Sequence, residues 1–164
     1  MYTGRMTMTK QQDSNHHAKT VVIGFVAASV LLFIASLFLD GFYIDRPDDP
    51  RAWSPGYGLL LLGWMAVLMG VPAWLANPAV MAAWILLLVD LKRAAFAAAA
   101  LAMLFALSFL LWDKIITDEA GNYSKITGYG SGYWCWVASA AMAFLGGIVA
   151  ICIARKPTDE SRPV

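Results

Sequence analysis

Charged residues are scarce in this chain of 164 residues: Asp, Glu, Lys and Arg make up 14 %, whereas 60 % of the residues are hydrophobic. Soluble proteins contain about 25 % charged and about 45–50 % apolar residues. This composition excludes an ordinary soluble domain and predicts a membrane protein in contact with the lipid bilayer. The formal net charge is only +1, so we expect no nucleic-acid partner.

Residues that hold metals or perform catalysis are also few. Cys135 and Cys152 lie about 26 Å apart along one predicted helix, too far for a disulfide, which needs Cα atoms within about 7 Å. The only histidines, His16 and His17, lie in the polar N-terminal tail, and the sequence contains no His-Glu-x-x-His motif and no intramembrane Asp pair. We therefore expect no catalytic residues, no metal site and no cofactor, and we predict that the protein is not an enzyme.

Four long stretches contain no charged residue: 20–39, 59–89, 94–112 and 126–154. Three of them have the length of one membrane span, about 20 residues, since the last becomes apolar only near residue 133. As one helix, the second stretch would be about 46 Å long, against a hydrocarbon core of about 30 Å. A tilt of up to about 40° cannot absorb that excess, so we expect this helix to break.

Glycine and proline indicate where the second stretch breaks. Gly70, Pro72 and the pair Asn77-Pro78 are the candidates, because proline lacks a backbone donor and disfavours helix in the residue before it. Asn77 is predicted to be a helix N-cap, with Pro78 at the first helical position. Residues 59–69 would form a short half-helix that is apolar on every face, and we expect it to be buried in the bundle as a re-entrant segment.

The distribution of charge predicts the topology. The net formal charge is positive, negative, positive, negative and positive in residues 1–19, 40–57, 90–93, 113–130 and 155–164. Under the positive-inside rule this alternation requires a single crossing between Asp49 and Lys92. The predicted fold is an all-α membrane protein, a bundle of four transmembrane helices with a short re-entrant or buried half-helix; five spans is the alternative.

The boundaries that follow from this topology place both chain ends on the cytoplasmic side. The polar tails are residues 1–19 and 155–164, on either side of a transmembrane bundle at 20–154. The predicted spans are 20–39, 71–91, 94–112 and 133–154, with the half-helix at 59–69 and outer loops at 40–57 and 113–132.

Aromatic residues are concentrated on the predicted outer side. Interfacial belts place Trp and Tyr at both membrane faces, so a plain anchor belt explains these rings but not their one-sidedness. The other interpretation is an outward-facing aromatic surface that binds a partner, a lipid or a small molecule. We expect any site to lie where the helix break meets this surface, and the candidate residues are Trp74, Asn77, Pro78, Trp112, Tyr129, Tyr133, Trp134 and Trp136.

The last span carries small residues at intervals of four. Ser139, Ala143 and Gly147 lie along one helix face, an arrangement that lets helix backbones approach closely in membranes. The segment 94–100 is similarly rich in small residues. These faces hold the bundle together or bind a helix of another membrane subunit, and the sequence leaves both interpretations open.

The chain is similar in composition to small polytopic proteins of bacterial inner membranes, with both termini cytoplasmic. Our first hypothesis is a non-enzymatic interaction role, such as an accessory subunit of a membrane complex or an immunity or envelope protein. A second is a passive pore or small transporter, because 75–80 resembles the Asn-Pro-Ala box of aquaporins, which carry two such boxes. A third is a lipid- or quinone-linked enzyme using Asp113, Asp118 or Glu119.

Overall fold

Helix is the main secondary structure, because a backbone surrounded by lipid satisfies its hydrogen bonds within a helix. The computed structural model describes residues 3–46, 49, 55–116 and 121–154, with side chains from His17 onward. The predicted tail at 155–164, together with Asp118 and Glu119, lies outside the described residues. The helices are α1 (Thr3–Leu37), α2 (Gly56–Leu62), α3 (Trp64–Leu68), α4 (Ala76–Leu88), α5 (Lys92–Ser108) and α6 (Ser131–Ala154). Single 3₁₀ turns occupy Pro72–Leu75 before α4 and Phe109–Leu111 after α5.

Three helical segments of the described chain are long and apolar enough to cross a membrane. They are His17–Leu37, Lys92–Leu111 and Ser131–Ala154. The segment Pro72–Leu88 is apolar but shorter. The protein is therefore a helical membrane protein, whose three long spans belong to α1, α5 and α6.

The buried residues form three clusters along the bundle. The cluster that includes Phe42, Phe109 and Tyr133 lies at the end we call the sheet end. A middle cluster contains Phe33, Ala83, Ala99 and Ala143. A third, at the end we call the far end, contains Val26, Leu87, Ala95 and Ala150. Since α1, α4, α5 and α6 each contribute to the middle and far-end clusters, α4 runs alongside the three long helices.

A small antiparallel sheet corrects the all-α prediction. Strands β1 (Phe42–Ile44), β2 (Lys114–Ile116) and β3 (Tyr123–Tyr129) pair in the order β1-β3-β2. Burial largely alternates along β3, as expected for a strand with one packed face. The regions predicted as outer loops, 40–57 and 113–132, thus contain all three strands. Two of these have three residues each, too short for a recognisable periodicity.

At the sheet end, backbone hydrogen bonds join the residues that follow α1 to the start of α6. The backbone N–H of Gly130 donates to Gly41 O at 2.8 Å, and that of Gly132 donates to Asp40 O at 2.8 Å. A Cβ on Gly130 would collide with the Asp40 carbonyl, so a residue without a side chain is needed there. These contacts fix the start of α6 and the direction of Tyr133.

The predicted half-helix at 59–69 differs from the observed structure. The helix begins earlier, at Gly56, and is divided at Gly63, where a Cβ would meet Trp74 Cδ1 at 2.7 Å. Its second part, α3, ends at Leu68, and Gly70, with a φ of 89°, closes a Schellman-type turn in which Val71 N donates to Ala66 O at 2.9 Å. Neither α2 nor α3 contains a buried residue, so the expected burial within the chain is wrong.

The prediction that Asn77 caps a helix is also wrong. The 3₁₀ turn Pro72–Leu75 continues directly into α4, and Leu75 already has right-handed helical angles (φ −63°, ψ −14°). Asn77 is therefore the second residue of α4 and Pro78 the third. Because the preceding turn starts the helix, the Asn77 side chain is available for a contact with another helix.

Candidate functional site

A cavity of about 110 Å³ lies at the sheet end, between α2 and the bundle. The end of α1 contributes Phe33 and Ser36 to its wall, and the 3₁₀ turn and α4 contribute Trp74 and Asn77. Further lining residues come from α2, from the 3₁₀ turn after α5 and from the start of α6, and include Leu60, Phe109, Tyr133 and Trp136. The cavity thus lies where the break in the second apolar stretch meets the aromatic residues.

Asn77 is the polar residue whose position in this wall is most constrained. It is 7 % exposed, and its Oδ1 accepts a hydrogen bond of 2.8 Å from Trp136 Nε1. An indole N–H can only donate, so the amide atom that faces Trp136 is the oxygen and the NH₂ group has the opposite direction.

The NH₂ group of Asn77 has no hydrogen bond to another described residue. Buried side-chain nitrogens without a partner are absent from the described residues, so this group reaches accessible surface. Asn77 lines the cavity. Its amide therefore has N–H donors that no described residue engages, on a side chain that belongs to the cavity wall.

The other polar side chains of the wall have their hydrogens engaged within the protein. Trp74 Nε1 donates to Leu60 O at 2.9 Å, Tyr133 Oη donates to Ala106 O at 3.0 Å, and Ser36 Oγ donates to Phe33 O at 2.6 Å. Charged residues are absent from the described lining. Among the described lining side chains, Asn77 therefore supplies the free hydrogen-bond donors in an uncharged, mostly apolar space.

Aromatic rings pack closely around the cavity. The ring centroids of Phe42 and Phe109 are 5.2 Å apart, and those of Tyr133 and Trp136 are 6.0 Å apart. These are the tilted arrangements that the ring quadrupoles favour. The wall therefore combines packed aromatic rings with aliphatic side chains such as Leu59 and Leu60.

Four of the residues predicted for a site meet at the cavity, and four do not. Trp74, Asn77, Tyr133 and Trp136 line it. Trp112 and Tyr129 pack against the sheet-end cluster, while Trp134 and Pro78 are exposed. Sequence reasoning missed the α1 and α2 residues Phe33, Ser36 and Leu60, for which no local motif exists because they join the site only through helix packing.

Tyr129 lies on β3 beside this site. Burial, followed by the nearby carboxylate of Asp113, raises the pKa of its phenol above the usual value of 10.0. Its hydroxyl lies 3.5 Å from Phe109 O, and its ring centroid is 4.9 Å from that of Tyr133. Tyr129 is therefore neutral, and its ring packs against the ring of Tyr133, which lines the cavity.

The predicted packing residues of α6 lie inside the bundle. Ser139 Oγ donates to Ser29 O on α1 at 2.8 Å, and Ala143 is fully buried in the middle cluster. A Cβ on Gly147 would lie 3.1 Å from Phe96 Cα on α5. In this chain the small-residue face of α6 is occupied by α1 and α5.

Candidate metal ligands do not cluster within the described part of the chain. Groups of three or more His, Cys, Asp or Glu that could hold a metal are absent there. Asp113, the described member of the predicted acidic trio, is exposed.

Comparisons of the chain with protein families, with curated proteins and with solved structures found no match. The function is therefore inferred from the geometry of this chain.

Proposed function

We propose that this protein is a four-span protein of a bacterial inner membrane, with both termini cytoplasmic, that acts without catalysis as an accessory subunit of a membrane complex. The observation that carries the interaction role is the apolar surface of α2 and α3, which the chain itself leaves uncovered. We call residues 56–68 the α2–α3 segment.

The four-span topology is supported by the path of α4. Its first residue, Ala76, belongs to the sheet-end cluster, Val80 and Ala83 to the middle cluster, and Leu87 to the far-end cluster. With the preceding 3₁₀ turn, 17 residues give about 25 Å at 1.5 Å per residue, close to the hydrocarbon thickness of about 30 Å. The alternating sign of charge along the sequence agrees with this path.

Labelling with a membrane-impermeant maleimide tests this topology in intact cells. Single cysteines at Asp45, Leu91 and Asn122, introduced after replacing Cys135 and Cys152, are expected to label outside, inside and outside respectively. If α4 did not cross, positions 45 and 91 would label from the same side and position 122 from the other. That pattern would refute the four-span proposal.

The interaction role is supported by the exposure of the α2–α3 segment. Leu61 and Leu68 are 67 % and 78 % exposed, and Trp64 and Met65 are also exposed. Backbone that departs from a regular helix at membrane depth is tolerated only when protein or a water-filled cavity covers it. The division at Gly63 lies in this apolar segment and the turn at Gly70 follows it directly, and a partner's helix would supply the missing cover.

Affinity purification in a mild detergent tests the interaction. The wild type is expected to retain a second membrane protein, and Leu61→Ala/Leu68→Ala is expected to lose it. Truncating a central interface side chain weakens binding by about 1 kcal/mol or more, so two such changes reduce affinity at least about 25-fold.

The matched control is Leu101→Ala/Leu104→Ala, which removes the same atoms from an exposed face of α5. It should retain the partner as the wild type does. A wild-type chain that purifies alone, or as a homodimer without another protein, would contradict the accessory-subunit proposal. Equal loss of the partner in both double variants would remove α2–α3 as the interaction surface.

A further inference from the structure

We propose that the cavity at the sheet end binds the neutral, carbonyl-bearing ring of a membrane quinone, with the Asn77 amide donating a hydrogen bond to the carbonyl oxygen. This inference concerns the inner wall of α2, and it is independent of the partner proposed for the outer surface of the α2–α3 segment.

The volume of the cavity is of the order of the space that holds one ring. An apolar protein cavity of about 150 Å³ accepts benzene, and the volume here is about 110 Å³. The cavity is not enclosed, so ring substituents and an isoprenoid tail would extend beyond it toward the lipid.

The hydrogen-bonding groups of the wall select for an acceptor. Trp74, Tyr133 and Ser36 already donate within the protein, while the NH₂ of Asn77 remains available. Burying that group without a partner is unfavourable. A carbonyl oxygen can accept its hydrogen bond without bringing a charge into the apolar cavity. A ligand with a charged headgroup is disfavoured because charged side chains are absent from the described lining.

The aromatic composition of the wall suits a planar ligand. Phe33, Phe109, Tyr133 and Trp136 contribute rings, and aromatic faces pack favourably against flat rings in tilted or offset geometries. An acyl chain would fill the same space but would neither use the ring faces nor accept from Asn77.

Native mass spectrometry of the purified full-length protein, released from detergent micelles, tests this assignment. The probes are decyl-benzoquinone, decylbenzene with the same tail and no carbonyl, and dioctanoyl phosphatidylglycerol. The quinone is expected to form a one-to-one adduct at least about tenfold more tightly than decylbenzene, the effect of one buried hydrogen bond.

Two variants separate the hydrogen bond from the shape of the cavity. Asn77→Leu removes the donor and is expected to weaken quinone binding about tenfold while leaving decylbenzene binding unchanged. Ser139→Ala is its control, since it breaks a hydrogen bond between α6 and α1 at a residue that does not line the cavity; binding should stay within about threefold of wild type. Ala66→Phe, which places a ring at a lining position, should abolish quinone binding.

Several results would overturn the assignment. They are equal binding of decylbenzene and the quinone, unchanged quinone affinity in Asn77→Leu, tighter binding of the phospholipid, or no adduct with any probe. Elution volume and helical circular dichroism verify that each variant is folded. If Asn77→Leu does not fold, the wild-type comparison of quinone with decylbenzene decides alone.

Discussion

Replacing Ser29 with alanine tests the packing at the centre of the bundle most directly. Ser29 is fully buried, and its Oγ donates to Ser139 O at 2.7 Å while accepting from Trp84 Nε1 at 2.8 Å. Ser139 Oγ in turn donates a hydrogen bond of 2.8 Å to Ser29 O. One hydroxyl on α1 therefore joins α4 and α6.

The expected cost follows from the bonds that each substitution breaks. An interhelical hydrogen bond in a membrane contributes about 0.6–2 kcal/mol, and a buried donor left unpaired costs about 1–3 kcal/mol. Ser29→Ala loses one bond and leaves the Trp84 N–H without its acceptor, which gives about 2 kcal/mol. Ser139→Ala loses its own donated bond and leaves Trp84 paired, which gives about 1 kcal/mol.

The free energy of unfolding is measured by titration with a denaturing detergent, followed by circular dichroism. Ser108→Ala is the control, because Ser108 Oγ donates to Phe105 O within its own helix, and it should cost less than about 0.5 kcal/mol. In a Trp84→Phe background, Ser29→Ala should cost about 1 kcal/mol less than in the wild type, since no indole N–H is left unpaired. A Ser29→Ala cost equal to that of Ser108→Ala, or the same cost in both backgrounds, would refute the reasoning.

Three further substitutions test a turn and the helix contacts by the same titration. Asp90 has a φ of 65° after α4, so Asp90→Gly should stabilise the protein by about 1 kcal/mol. The loss of the ion pair between Asp90 and Lys92, at 3.3 Å, offsets little of this gain because the pair is near the surface. A lower stability of Asp90→Gly would contradict the argument. Gly147→Ala should lower the free energy of unfolding by about 1–3 kcal/mol, because the new Cβ would lie 3.1 Å from Phe96 Cα. Gly24→Ala has open space around its Cβ and should raise the free energy of unfolding by about 0.5–1 kcal/mol. Equal effects at the two glycines would indicate that α5 does not pack against α6 this closely.

The long helices were predictable from the sequence because the bilayer leaves few alternatives. A charge-free stretch of about 20 residues must close its own backbone hydrogen bonds, and helix does so. The predicted span at 20–39 corresponds to α1, which ends at Leu37, and the span predicted from residue 133 to α6, which begins at Ser131. The differences lie at the ends: α1 already begins at Thr3, within the predicted polar tail 1–19, and α6 begins two residues before the predicted span.

The sheet could not be predicted in the same way. Strand β1 pairs with β3 through Phe42 and Tyr129, which are distant in sequence. They meet because α1 and α6 bring their ends together through Gly130 and Gly132. A three-residue strand has no stability of its own, so its existence depends on contacts that the local sequence does not encode.

Asn77 shows how a distant contact can override a local signal. Asn followed by Pro is a good helix start, but the observed partner of Asn77 is Trp136, 59 residues away in sequence. Trp136 can reach it because α4 and α6 are neighbours at this level. The same side chain was predicted as a site residue and does line the cavity, although through this interhelical bond rather than through a cap.

The cavity and the exposed segment have one origin, the excess length of the stretch from Leu59 to Val89. Its last part is sufficient for α4, so the rest must stay at the sheet end as α2 and α3. A divided pair of short helices touches the bundle through few side chains, such as Leu59, Leu60 and Ala66, and Trp74 closes one side by donating to Leu60 O. Shallow packing leaves an apolar gap within and an apolar surface outside. Truncating Leu61 and Leu68 therefore acts on the outer surface alone, and filling the gap at Ala66 acts on the inner one, so the two proposals can fail separately.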